Sequence, residues 1–187
     1  DRNGLILTAA HVVGDSAIVD VRIGGLKDIE AAVIYKDQST DVAFLKVESS
    51  ESLIPVVKGN SDDLEIGDRV VAHGYPADPE YEGMPVAALG SVMDIMSDGP
   101  CTVIKSDAMV TAGCSGGPLL TLDGRFVGMV TSTTPGQGIS KLVTCAVSSQ
   151  DVLDALDGCG FDQMSLVSGP DGPGTNQQTN QKINKEG

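Results

Sequence analysis

Short runs rich in Val, Ile and Leu recur along this chain, each cut off by glycine, proline or a polar turn, and that punctuation restricts the folds open to it. Twenty-three glycines and nine prolines fall among 187 residues, a texture that predicts an all-β barrel or sandwich. Strand-like segments are expected at about 4–8, 17–23, 29–36 and 42–47. A polar stretch from Glu48 to Asp63, broken by Pro55, then leads to six more at about 68–73, 84–95, 101–106, 117–121, 125–133 and 139–147. Six strands are enough for one Greek-key barrel. Ser148 or Ser149 can cap a short helix running to about Leu156, with Asp151 in its first turn and Gly158 at its end. The chain is 41% hydrophobic but has three Phe, three Tyr and no Trp, so its core must be built from Val, Ile, Leu, Ala and Met. No run approaches the length of a membrane span. Residues 168–187 are Gly, Pro, Asn, Gln and Thr with almost no apolar side chains, the composition of a disordered tail. The domain reading is therefore 1–58, 64–160 and a polar tail over 161–187.

Three short stretches carry chemistry. Residues 113–118 read Gly-Cys-Ser-Gly-Gly-Pro, residues 8–11 read Thr-Ala-Ala-His, and residues 41–46 read Asp-Val-Ala-Phe-Leu-Lys. A serine hydroxyl is a poor nucleophile at neutral pH unless an imidazole takes its proton, and the imidazole works best when a carboxylate fixes its tautomer. Ser115, His11 and Asp41 supply those three groups. Stabilising an oxyanion needs backbone N–H groups converging on one point, which forces a tight backbone that glycine tolerates best. The oxyanion hole is therefore expected over Gly113, Cys114 and Ser115, with Gly113 and Ser115 as the N–H donors. Gly116 and Gly117 let the chain turn away.

On these residues the chain resembles the chymotrypsin-fold serine proteases, and within them the HtrA/Deg branch. The matching stretches are Gly4–Val13, Asp41–Val47, Val70–Pro76, Ser106–Leu119 and Val127–Thr131, so the likeness covers roughly residues 3–157. Secreted members usually carry an aspartate just before the serine; here that position is Cys114, as the HtrA branch, which also lacks the aspartate, would have it. The resemblance implies two Greek-key antiparallel β-barrels with the site between them and a short C-terminal helix. Four strands before the linker fall short of six, so the first barrel is expected to lack its initial strands. The chain opens at Asp1, and its true N-terminus is expected upstream. In this fold the primary pocket is walled by the segment before the serine, here Met109 and Val110, and by the strand after it, here Thr131, Ser132 and Thr133, with Leu142 to Cys145 beyond. Asp107 matches an aspartate just outside the pocket. Such a pocket suits a small or aliphatic side chain, and the backbone of Thr131–Thr133 would hold a peptide as an added antiparallel strand.

The implied activity is endopeptidase action on unfolded or extended polypeptides, with no cofactor and no metal. A catalytically inactive, peptide-binding scaffold of the same fold is the alternative. With 26 acidic and 12 basic residues, the net charge of −14 argues against nucleic acid and anionic membranes as partners. Self-association into a homo-oligomer is left open. Cys101, Cys114, Cys145 and Cys159 match no zinc-ligand spacing and are read as reduced.

Overall fold

The computed structural model describes residues 1–23, 28–48, 53–81, 83–135, 142–160 and 167–168. Its first half is an antiparallel sheet of four strands, β1 (Leu5–Ala9), β2 (Ile18–Arg22), β3 (Asp28–Asp37) and β4 (Val42–Val47), in the order β1-β4-β3-β2. A single helical turn, α1 (Ala10–Val13), follows β1. The second half holds β5 (Val57–Lys58), β6 (Arg69–Gly74), β7 (Val86–Met96), β8 (Val103–Ser106), β9 (Pro118–Thr121), β10 (Arg125–Pro135) and β11 (Leu142–Ser148), then helix α2 (Ser149–Gly158) and β12 (Val167–Ser168). The sheet order β11-β8-β7-β6-β9-β10, with β10 also paired to β11, closes six strands into a barrel, and β5 and β12 extend it beyond β10.

The run Val42–Val47 reads as continuously apolar because both of its faces are covered. Successive side chains of a strand point to opposite faces, so Ala43, Leu45 and Val47 enter the core of the first sheet. Val42 and Phe44 turn the other way, onto Phe126, Met129, Val147 and the α2 residues Val152 and Leu156. β1 is divided in the same manner: Leu5 and Ala9 face the second half and Ile6 the first core. These two strands are thus held between two apolar layers. The barrel has its own interior, built on Val70, Ala72, Val92, Ile104, Leu119, Val127 and Val130. An apolar cavity of about 430 Å³ lies along β1, Leu53–Val56 and α2.

Helix α2 makes polar contacts at its first turn with the residues before β8 and with the segment that joins the halves. Ser148 caps it by accepting from the Asp151 N–H at 3.1 Å, and the Asp151 carboxylate accepts from the Thr102 N–H at 2.9 Å. The Ser149 hydroxyl accepts from the Ser61 N–H at 3.0 Å, and the Ser61 hydroxyl from the Gln150 N–H at 3.2 Å. The segment that joins the halves is thereby tied to the C-terminal helix.

Two boundaries differ from expectation. Residues 57 and 58, assigned from sequence to the first unit, pair in parallel with Arg125 and Phe126 of β10. Gly59 permits that approach, since a Cβ there would stand 2.7 Å from the Phe126 carbonyl oxygen. Val167–Ser168, expected in the polar tail, pairs with Val57–Lys58; the rest of that tail lies outside the described residues. All four cysteines are free thiols. Among the described residues no helix is long and apolar enough to cross a membrane.

Among the described residues the hydroxyl of Ser106, fully enclosed in the barrel, makes no hydrogen bond. A buried, unsatisfied polar group costs about 1–3 kcal/mol, so Ser106→Ala is expected to raise unfolding stability by about 1 kcal/mol, read as a higher urea midpoint at an unchanged slope.

Candidate active site

The register of β1 on β4 brings together His11 and Asp41, the residues expected as base and acid. Ala9 stands opposite Val42, so the residues that continue each strand past that pair meet, and the Ala10 N–H donates to the Asp41 carbonyl at 2.9 Å. Asp41 sits at φ 58°, a left-handed conformation that Asp and Asn tolerate better than most residues. From there Oδ1 accepts the His11 backbone N–H at 2.9 Å and Oδ2 lies 2.7 Å from His11 Nδ1. The carboxylate therefore caps the α1 turn and orients the imidazole at once. A bond from Nδ1–H to Asp41 leaves the lone pair on Nε2. Half of the His11 side chain is exposed (51%).

Asp37 shapes the turn that delivers Asp41. Its carboxylate accepts from the Ser39 N–H at 2.9 Å, the Ser39 hydroxyl at 2.8 Å and the Thr40 hydroxyl at 2.9 Å. The Ser39 hydroxyl, above all, holds the Asp37 carboxyl below the usual aspartate range. A folded-state pKa below the unfolded one gives stability that is full above the unfolded value and lost as pH falls through the folded one. On acidification below about pH 4, the wild type is therefore expected to lose stability more steeply than Asp37→Asn in urea titrations at successive pH values.

Ser115 lies in the loop between β8 and β9, flanked by Gly113 at φ 96° and Gly116 at φ 84°. The loop is fastened on three sides. Gly116 N–H donates to the Val130 carbonyl at 2.7 Å, and Val130 N–H to the Gly117 carbonyl at 2.8 Å. Ala77 N–H donates to the Ala112 carbonyl at 2.8 Å, and Gly113 packs so closely on residues 75–77 that a Cβ would stand 2.4 Å from the Ala77 nitrogen. On the third side Gly116 abuts β1: a Cβ there would be 2.5 Å from Thr8 Oγ1 and 3.1 Å from the Ala9 nitrogen. The residue after Ser115 thus touches β1, the strand that leads into the α1 turn bearing His11. Thr8 belongs to the Thr-Ala-Ala-His motif, but its contact with the serine loop could not be read from it.

Among the described residues, neither the Gly113 nor the Ser115 N–H has an acceptor, whereas the Cys114 N–H donates to the Thr111 carbonyl at 3.2 Å. Of the three residues expected in the oxyanion hole, Gly113 and Ser115 thus keep their donors available and Cys114 does not. The Cys114 side chain is buried (1% exposed) and packs on Gly74, where a Cβ would stand 2.8 Å from its Cα.

The Ser115 hydroxyl does not bond to His11 in this structure. It donates to the Thr131 carbonyl at 3.0 Å. Of the expected pocket residues, Met109 is exposed while Val110 (2% exposed) packs into the barrel interior. Thr131 is half-buried, Ser132 is exposed, and Thr133 pairs as backbone with Thr144. Thr144 donates its hydroxyl to the Ala108 carbonyl at 2.6 Å, and Asp107 Oδ1 accepts from the Ser91 N–H at 2.7 Å; both act as internal brackets. A cleft of about 360 Å³ opens beside Asp41 and Thr131, with Met96, Pro100 and Cys101 in its wall. The larger apolar cavity carries Asp1 and Lys58 in its wall together with Gly116, the residue after Ser115. Burial, then the charges of Asp151, Asp37 and Asp41, push the Cys101 thiol up, which keeps it protonated at neutral pH. Among the described residues no His, Cys, Asp or Glu cluster is placed to hold a metal ion.

Comparison with known proteins gives a consistent picture. The chain is 34% identical over 164 residues to a probable periplasmic serine endoprotease, DegP-like, of Pseudomonas fulva, with 85% of this chain and 34% of the relative covered. It is 33% identical over 152 residues to a protein of the same description from Rickettsia conorii, covering 79% and 30%. To the serine protease Do-like HtrA of Lactococcus lactis it is 27% identical, covering 81% and 40%. The chain thus spans about a third of the length of the curated relatives it matches. A solved structure described as HtrA-type protease AlgW with decapeptide superposes with a TM-score of 0.74 at 23% identity, over 85% of this chain and 49% of that one, a likeness of fold. The family model for the trypsin-like peptidase domain matches residues 1–129, a span that runs from β1 through the serine loop into β10, and the chain belongs to that family.

Proposed function

We propose that this chain is the peptidase part of a serine endopeptidase that cleaves extended or unfolded polypeptides. The observation that carries the reading is the His11–Asp41 pair at 2.7 Å, set at the end of β1, the strand against which the residue following Ser115 is packed. In the proposed reaction Ser115 Oγ attacks the scissile carbonyl carbon while His11 Nε2 takes the hydroxyl proton. Asp41 keeps the imidazole in the required tautomer and stabilises the imidazolium. The N–H groups of Gly113 and Ser115 receive the negative oxygen. His11 then gives its proton to the leaving amine, and water attacking the acyl-enzyme by the same route regenerates the serine. Met109 and the backbone of Thr131–Thr133 are proposed to receive the substrate as an added strand, with a small or aliphatic residue in the primary pocket. The relatives named as serine endoproteases support this reading.

One observation favours the inactive-scaffold alternative: the serine hydroxyl is engaged by Thr131 rather than by His11. Incubation with a reduced, carboxymethylated polypeptide separates the two. New peptide termini with the wild type and none with Ser115→Ala are expected; equal fragmentation by both, or binding without cleavage by both, would overturn the enzyme reading.

A further inference from the structure

Thr131 occupies an irregular place in its strand. Along β10 and β11, Val130 pairs with Ala146 and Ser132 with Cys145, so Thr131 is the extra residue of a β-bulge. A bulge leaves its extra residue out of the ladder and re-aims it. Here the re-aimed carbonyl accepts the Ser115 hydroxyl at 3.0 Å, while the Thr131 hydroxyl donates back across the sheet to the Cys145 carbonyl at 3.4 Å. Gly116 N–H and Val130 N–H fasten the serine loop to the same strand on either side. The nucleophile's proton therefore points at a backbone carbonyl, although its proposed acceptor, His11, lies in the α1 turn that follows β1 of the other sheet.

We infer that Thr131 is a positioning residue whose carbonyl holds the Ser115 hydroxyl away from His11 until a peptide backbone N–H displaces it. The inference rests on the serine-endopeptidase reading above. A hydroxyl can serve only one acceptor, and a carbonyl that receives an amide N–H is a poorer partner for a second donor in line. An extended peptide laid along Thr131–Thr133 brings such an N–H to this carbonyl. The two hydrogen bonds are similar in strength, so the exchange is nearly balanced, and the freed hydroxyl turns to Nε2. The chain is in this way least reactive when empty and becomes competent through substrate shape alone. A small electrophile without a backbone amide leaves the hydroxyl where it is.

Two measurements on this chain test the inference. The first is the NMR titration of the His11 ring, assigned by its loss in His11→Gln, in the unliganded wild type and in Ser115→Ala. Superimposable curves are expected, because the serine hydroxyl is bonded to Thr131 and not to the imidazole; a displaced midpoint in Ser115→Ala would show a resting Ser115–His11 bond and overturn the inference. The second compares two peptidyl diphenyl phosphonates that differ by N-methylation of the amide next to the phosphonate. Each reacts by attack of Ser115 Oγ on phosphorus with loss of phenoxide, the hydroxyl proton passing to His11. N-methylation is expected to lower the limiting inactivation rate by about tenfold or more while changing the half-saturating concentration by less than about threefold. A lower affinity with an unchanged limiting rate would mean that the amide only binds, and would overturn the inference. If neither phosphonate labels Ser115, it is the peptidase reading that fails, and the titration alone then decides where the hydroxyl rests.

Discussion

Asp41→Asn is expected to fold as the wild type does and to hydrolyse peptides about 10³–10⁴-fold more slowly. The two halves of that outcome come from different atoms of one side chain. Asn tolerates the φ of 58° at this position as well as Asp does, its Oδ1 can still accept the His11 N–H, and the main-chain carbonyl still receives the Ala10 N–H. The α1 turn is therefore kept. At the other oxygen the substitution places an NH₂ donor against Nδ1, where the structure has a carboxylate oxygen at 2.7 Å. The imidazole must then present Nδ1 as acceptor and carry its proton on Nε2, the tautomer that cannot take a proton from serine. Asp41→Ala differs in kind: it also removes the cap, and is expected to cost about 1–2 kcal/mol of stability. Thermal melts beside kcat/KM on a peptide ester or amide separate the variants. An Asp41→Asn protein with undiminished kcat/KM would remove Asp41 from the mechanism.

The second large effect is expected at Gly117. A Cβ there would stand 2.1 Å from the His73 carbonyl oxygen and 2.9 Å from the Cys114 carbonyl oxygen, both backbone atoms held in β6 and in the serine loop. Neither can rotate aside, so Gly117→Ala must push the loop off β6. The cost expected from overpacking is about 2–4 kcal/mol. Displacing the loop also shifts Ser115 and the two N–H donors together, and a misplacement of about 1 Å is enough to cost about 10²-fold in rate. Gly158→Ala is the control, because nothing lies within 4 Å of a Cβ there. It is expected to be neutral or to stabilise by about 0.4–1 kcal/mol through the unfolded chain. Urea unfolding and peptide hydrolysis of both variants check the contrast; a Gly117→Ala protein as stable and active as wild type would mean that the loop is not seated on β6.

Much of this architecture was legible because its signals are local. The expected strands at 42–47, 68–73 and 117–121 fall within one residue of β4, β6 and β9, since each is a β-branched or leucine-rich run between turn residues. The helix after Ser148 was foreseen from its cap and from Asp151, and both perform that role. Features set by contacts between distant segments were not legible. The α1 turn is four residues long and is held by Asp41, a residue far along the chain. β5 and β12 are two-residue strands that exist only because they pair with each other and with β10. Val110 reads in sequence as a pocket wall, yet its backbone direction sends it into the barrel core. The meeting of His11 with Asp41 is a matter of register, and is implicit in the pairing of the two apolar runs that bear them. The acceptor of the Ser115 hydroxyl depends on a bulge in β10, for which no side-chain pattern codes.

The most direct measurement of whether these groups act as one site is reaction with a peptidyl diphenyl phosphonate that keeps its amide N–H, followed by peptide mass spectrometry. One adduct per chain is expected, on Ser115, absent from Ser115→Ala and slowed by at least about 10³-fold in His11→Ala. A folded wild-type chain that takes up no adduct, or one that carries it on a different residue, would contradict the account.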